Sequence, residues 1–250
     1  MGKMIAIHQQ MGKIDAYMAF PEKRSAYGGA VILVHEIWGL TTHIKDVADR
    51  IAGQGYMVIA PDLYSSTMAD RKPSEELQSE LFSHNERERY NAQPKLRALI
   101  APTQTPQFTS MALGRLQSCF EYVYNQPLVH QRVMLVGFGM GGNYTFSMAI
   151  RESRLKGVIA FYGHCPYLVP ELSHITCPVL AFFGQKELAM IKEQDIVIPR
   201  MRKANVDYRP VIYAQTGHAF FNDANPFAYQ PASAKDAWNR MVDFMHNEII

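Results

Sequence analysis

Four short stretches of the chain hold residue types that do acyl chemistry. They are His35-Glu36 at the end of an apolar run, the glycine turn Gly137-Phe138-Gly139-Met140-Gly141-Gly142, Glu187 in "FFGQKE", and His218 in "TGHAFFND". A carboxylate beside a histidine makes a general base, and a glycine-rich strand-to-helix turn is where a nucleophile can be held up to a substrate. The same turn also reads G-x-G-x-x-G (Gly137, Gly139, Gly142), the spacing that cradles a dinucleotide pyrophosphate. The two readings demand different surroundings. A dinucleotide turn follows the first strand and needs a carboxylate at the tip of the next one. Here the turn falls in mid-chain and the next strand runs into "IAFYGHC", so the nucleotide-dependent reading is disfavoured.

Apolar, β-branched and aromatic runs mark the elements that must position these groups. Strands are expected at 30–35, 56–60, 132–137, 157–163, 178–184 and 208–214, with 14–20 as a leading edge strand. Helices alternate with them. Ile44, Val47, Ala48 and Ile51 recur at helical spacing before Gly53 and Gly55. "NYTFSMAIRES" follows the glycine turn, and "MIKEQDIVIPRMRKAN" is a helix that Pro199 should break. The last helix places Trp238, Met241, Val242, Met245 and Ile249 on one face. This alternation predicts one α/β domain over 1–250, a mostly parallel central sheet with helices on both faces. Ligands of such sheets bind outside the carboxyl ends of the strands, where all four stretches fall. The polar, proline-punctuated segment 65–110 reads as a surface insertion with one or two short helices, or as a lid over the site.

Bulk composition narrows the class. With 25 basic and 23 acidic residues the net charge is +2, too balanced to argue for nucleic acid or an anionic membrane as partner. Hydrophobic residues make up 48% of the chain, enough for a sizeable core, but no run approaches a membrane span. Cys119, Cys165 and Cys177 do not form a disulfide framework, and the first twenty residues lack a signal-peptide pattern, so a cytoplasmic location is expected. His164, Cys165, His174 and Cys177 match no metal spacing, and neither metal nor cofactor is expected.

Taken together, "VHEIWGL" (34–40), "APDLY" (60–64), the G-x-x-x-G-G elbow and "GHAFFND" (217–223) resemble the dienelactone hydrolase family, over about residues 14–250 apart from the insertion. The resemblance implies a single-domain α/β-hydrolase fold that cleaves small esters or lactones, as a monomer or homodimer. It implies a cysteine or serine at the elbow, a motif glutamate contacting it, and a histidine–acid pair activating it. Carried over, Glu36 matches the motif glutamate, His218 the base, and the N–H groups of Ile37 and Met140 the oxyanion hole. Glu187 stands where aspartate is usual, with Asp195 a weaker candidate. The nucleophile position is Gly139.

A glycine cannot attack anything, so covalent catalysis is closed there. The expectation is a hydrolase scaffold impaired or inactive in covalent catalysis, with slow water attack driven by His218 as a residual route. The alternative is a pseudoenzyme that binds a small molecule or a partner without turnover. Drift and deliberate inactivation fit the glycine equally. The run after His218 lacks the arginine that holds a substrate carboxylate in aromatic-lactone members, which disfavours a carboxylated dienelactone. Cys165 could face the cleft, but a half-buried wall position is the simpler reading. Thr145 and Ser147 should point into packing, and Tyr162, Phe183, Phe220 and Phe221 should be core or cleft wall.

Overall fold

The computed structural model describes residues 2–9, 12–22, 28–65, 72–165 and 170–249. Eight strands form one sheet in the order β1-β2-β4-β3-β5-β6-β7-β8. They are β1 (Lys3–Gln9), β2 (Gly12–Ala19), β3 (Ala30–Val34), β4 (Met57–Pro61), β5 (Val133–Phe138), β6 (Gly157–Phe161), β7 (Val179–Gly184) and β8 (Tyr208–Tyr213). Pairing is parallel from β4 through β8, while β1–β2 and β2–β4 are antiparallel. Every residue of β3 to β7 is buried, as expected of strands covered on both faces. Adjacent residues of β8 show the two layers. Tyr208 hydrogen-bonds Gln194 and approaches Phe146 on one face, while the guanidinium of Arg209 lies over Phe244 on the other.

The covering helices are α1 (Thr42–Gly53), α2 (Glu75–Phe82), α3 (Glu86–Ile100), α4 (Pro106–Tyr124), α5 (Met140–Arg151), α6 (Leu188–Lys203) and α7 (Pro231–Glu248). The expected face of α1 holds, with Ile44, Val47, Ala48 and Ile51 buried; of the face expected for the last helix, Met241, Met245 and Ile249 are buried and Trp238 and Val242 are partly buried. None of the described helices is long and apolar enough to cross a membrane.

Two expectations need correction. The strand at 14–20 is not the sheet edge, because β1 pairs outside it in a hairpin. Pro199 does not break α6, which runs through it to Lys203. Its buried face of Met190, Val197 and Met201 packs on the core and outweighs the lost backbone bond, which costs about 3 kcal/mol. A further helix, α4, lies in the crossover between β4 and β5 and is not among the expected elements. Thr105 caps it, Pro106 opens it, and Phe108, Ala112, Leu116, Phe120 and Val123 are buried along one face.

Helix α4 also contributes a buried guanidinium. Arg115 donates to the carbonyls of Leu63 (2.5 Å) and Ser65 (2.6 Å), pinning the turn after β4. Arg115→Met is expected to leave two carbonyls without donors and to lower the unfolding free energy by about 2–5 kcal/mol, read by urea denaturation. A loss below about 1 kcal/mol would mean that the turn does not depend on this anchor.

Candidate active site

The glycine turn closes β5 and starts α5. Gly139 sits at φ +52°, ψ −113°, a region closed to most side chains. Its N–H donates to Phe161 O (2.9 Å) and its carbonyl accepts from Asn143 N (3.1 Å). The turn lies hard against the end of β3: a Cβ on Gly141 would fall 2.3 Å from Val34 O, so only glycine fits there. Gly139 differs. A Cβ built on it would meet nothing nearer than His218 Nε2 at 3.8 Å, Tyr162 Cδ2 at 3.9 Å and Glu36 Cγ at 4.0 Å. A side chain at this position would have room and would face all three groups.

Glu36 is buried, with both oxygens engaged. Tyr162 Oη donates to Oε1 (3.0 Å) and Asn222 Nδ2 to Oε2 (2.7 Å). Burial, with the adjacent Glu36 charge, pushes the Tyr162 hydroxyl well above its usual pKa, which keeps it a donor. The neighbouring His35 holds the loop itself. Leu63 N–H donates to its Nε2 (3.0 Å), so the proton sits on Nδ1, 2.5 Å from Glu36 O. Burial lowers the pKa of His35 despite the nearby Asp62 carboxylate, favouring the neutral ring this arrangement needs.

The second carboxylate meets the second histidine. The turn after β7 is laced to the loop after β8 through Lys186 N–H to Thr216 O (2.9 Å), which brings Glu187 Oε1 to 2.5 Å from His218 Nδ1. The His218 side chain is 54% exposed, whereas Glu187 is 12% exposed. Burial pulls the His218 pKa down. The Glu187 hydrogen bond and the charges of Glu187 and Glu36 outweigh it, and the net shift is upward. Glu187 Oε2 is buried with no hydrogen-bond partner among the described residues, so this carboxylate is committed to His218 rather than to Lys186. Asp195 lies exposed on α6, and His218 takes Glu187 as its partner instead. The histidine loop is tethered to α1 by His43 Nδ1 to Asp223 Oδ1 (2.8 Å).

These groups open into a cleft of about 400 Å³. Ile37, Met140, Gly139, Glu36 and His218 line its floor. Leu81 and Phe82 of α2, and Arg89, Gln93 and Leu96 of α3, form its far wall. Of segment 65–110, these five residues line the cleft, and residues 66–71 lie outside the described residues. The cap has a small core of its own: Leu77, Leu81 and Ala92, packed with Trp38, Phe82, Leu96 and Leu99. Trp38 meets Phe82 edge-on at 5.1 Å. Tyr64 Oη donates to Ile37 O (2.9 Å) and fixes that peptide. Among the described residues, neither Ile37 N–H nor Met140 N–H has a protein acceptor. A shallower hollow of about 940 Å³ beside α2 touches none of Gly139, Glu36 or His218.

The other sequence candidates are placed elsewhere. Cys165 is buried outside the cleft lining, and burial pushes its thiol up to about 12, so it is not a substitute nucleophile. Thr145 and Ser147 donate to Gly142 O (2.7 Å) and Asn143 O (3.2 Å), within α5. Phe183, Phe220 and Phe221 belong to the core. Tyr162 is more than the apolar wall expected, since its hydroxyl holds Glu36. Asn222, Arg89 and Gln93 have no role in the sequence reading, and His35 is named there without one. Its place beside Glu36 is the one signal for it.

The family model described as dienelactone hydrolase family matches residues 14–249. A candidate carboxymethylenebutenolidase of Saccharolobus solfataricus is 29% identical over 259 residues, covering 98% of each chain. The protein so described in Escherichia coli K12 is 27% identical over 250 residues, covering 96% of this chain and 84% of its own. The solved structure of a candidate dienelactone hydrolase from Klebsiella pneumoniae superposes with a TM-score of 0.79 at 26% identity, covering 98% of each chain. The metagenomic dienelactone hydrolase-like phosphotriesterase P91 superposes with a TM-score of 0.80, covering 100% of this chain and 99% of its own; at 17% identity it shows the shared fold alone.

Proposed function

The chain belongs to the dienelactone hydrolase family, and from that premise we propose that its cleft binds a small carboxylic ester or lactone without forming a covalent acyl-enzyme. The observation that carries this reading is the 3.8 Å between His218 Nε2 and the Cβ that Gly139 lacks. The base stands where it would take a proton from a nucleophile, and no attacking atom is there.

Each remaining group keeps a role. Glu187 holds His218 in the tautomer that leaves Nε2 free to accept. The N–H groups of Ile37 and Met140 receive the carbonyl oxygen, favoured by the N-terminus of α5. Water polarised by His218 can then attack directly. Catalysis that survives loss of a nucleophile is roughly 10³-fold over the uncatalysed rate, so turnover is slow. Glu36, pinned by two neutral donors, shapes the floor of the site. Apolar side chains dominate the cleft wall, which suits a neutral acyl group. The free, buried cysteines support a cytoplasmic location, and the family fits a monomer or homodimer.

The test is direct. The protein incubated with p-nitrophenyl acetate is expected to show no burst and no acetyl adduct by intact mass. A stable adduct anywhere in the cleft would overturn the reading. A binding protein without turnover is the second reading, favoured by the same glycine. It predicts thermal stabilisation by a lactone with no product formed.

A further inference from the structure

We propose that the site is a carbon-acid proton-transfer centre, which shifts the double bond of a small β,γ-unsaturated lactone into conjugation with its carbonyl. This activity lies beyond ester binding and rests on the cleft forming no acyl-enzyme.

A base and oxyanion donors without a nucleophile are what an enolisation needs. In acyl transfer they act on the two ends of a three-atom array: nucleophile, carbonyl carbon and oxygen. An enolate presents the same array with the α-carbon in the nucleophile's place. A C–H beside a carbonyl therefore calls for a base at one end and N–H donors at the other. His218 supplies the base, with Glu187 on Nδ1 leaving Nε2 to accept. The donors are the N–H groups of Ile37 and Met140, which have no protein acceptor among the described residues. All three residues line one cleft. With no side chain at residue 139, a substrate carbon can approach Gly139 Cα to van der Waals contact, about 3.5–4 Å. A cysteine or serine there would hold it off by the depth of its own side chain.

The charges that develop are matched at both ends. A neutral lactone and a neutral imidazole become an enolate and an imidazolium. The carboxylates of Glu187 and Glu36 both favour the imidazolium. Tyr162 and Asn222 hold Glu36 in place for this, and the Tyr162 ring packs against the imidazole with centroids 4.9 Å apart. The enolate oxygen meets its donors at the N-terminus of α5.

His218 Nε2 takes a proton from the α-carbon. The C–H electron pair becomes a π bond to the carbonyl carbon, and the carbonyl π pair moves onto oxygen. The γ-carbon, two bonds away in the same ring, then takes the proton back from His218. The oxygen pair re-forms the carbonyl, the new π pair moves between the α- and β-carbons, and the old β,γ pair bonds the proton. The product is an isomer of the substrate, with nothing oxidised or reduced.

The experiment gives the unaltered protein α-angelica lactone and follows it by proton NMR. The spectrum separates the conjugated isomer, β-angelica lactone, from the hydrolysis product, levulinic acid. The isomer is expected to form at least about tenfold faster than in protein-free buffer, a modest share of what a positioned general base contributes. Lactone dideuterated at the α-carbon should isomerise more slowly, a readout that needs no variant. His218→Ala should return the rate to that of buffer. Gly139→Cys should lower the yield of isomer and raise that of levulinic acid. An isomerisation rate equal to that of buffer, or one unmoved by deuteration or by His218→Ala, would overturn the proposal. If the parent forms no isomer while Gly139→Cys forms an acyl-enzyme, proton transfer fails and the elbow reading stands. Levulinic acid released from an acyl adduct on the parent would instead overturn the reading on which the proposal rests.

Discussion

Gly139→Cys is expected to convert the cleft into a covalent esterase. Its sulfur would lie one bond beyond a Cβ already 3.8 Å from His218 Nε2, within hydrogen-bonding reach of the base. It would also sit at the N-terminus of α5, whose dipole favours the thiolate. The gain in kcat/KM on p-nitrophenyl acetate should be roughly 10²–10⁴-fold over the parent, with an acetyl adduct at residue 139. The same substitution should destabilise the fold. No atom crowds the new side chain, so the cost is that of placing a residue with a Cβ at φ +52°, about 1–3 kcal/mol. Urea denaturation would read it as a lower midpoint at unchanged slope. Gly139→Ala should show the same loss of stability with no esterase gain, separating backbone strain from chemistry. If Cys and Ser variants both fold and neither gains activity, the site has lost more than one side chain.

The second large effect belongs to Glu187. In a Gly139→Ser background, kcat/KM should rise with pH through a midpoint above the ordinary histidine value of 6.5, because the Glu187 contact and nearby charges raise the pKa of His218 against the pull of burial. Adding Glu187→Gln removes the main upward influence. The midpoint should then move to lower pH, and the plateau should fall by about 10²–10⁴-fold, since no anion remains to hold the imidazolium formed in the transition state. Stability follows the same sign. A histidine whose folded pKa is raised stabilises the fold below its unfolded pKa, and that contribution is lost as pH rises through the folded value. The parent should therefore lose stability over that window, and Glu187→Gln should flatten the loss. An unmoved midpoint would show that Glu187 does not set the protonation of His218.

Much of this arrangement could be read from the sequence, for a physical reason. Strands buried on both faces leave nearly continuous apolar runs, so β3 to β7 were legible to within about two residues at each end. The four site groups lie at strand ends, where topology alone brings them together. What stayed hidden depends on contacts that no local pattern records. Asn222 reaches Glu36 across 186 positions, and Tyr162 reaches it across 126. Helix α4 was a different failure. Its period from Phe108 through Ala112, Leu116, Phe120 and Val123 is in the sequence, but it begins inside the polar stretch 65–110, whose charged and proline-rich composition masks a helix start. Pro199 was read by a local rule that tertiary packing overrode.

The cap's separate core has a dynamic consequence. Trp38 belongs to that cluster and immediately follows Ile37, so a sub-global opening that lifts α2 and α3 frees the indole while Tyr64 still holds the Ile37 peptide and Tyr162 and Asn222 still hold Glu36. Amide protons of α2 and α3 should then exchange as one cooperative unit, faster than those of β5 and β6. The far wall of the cleft can come away while its floor keeps its shape.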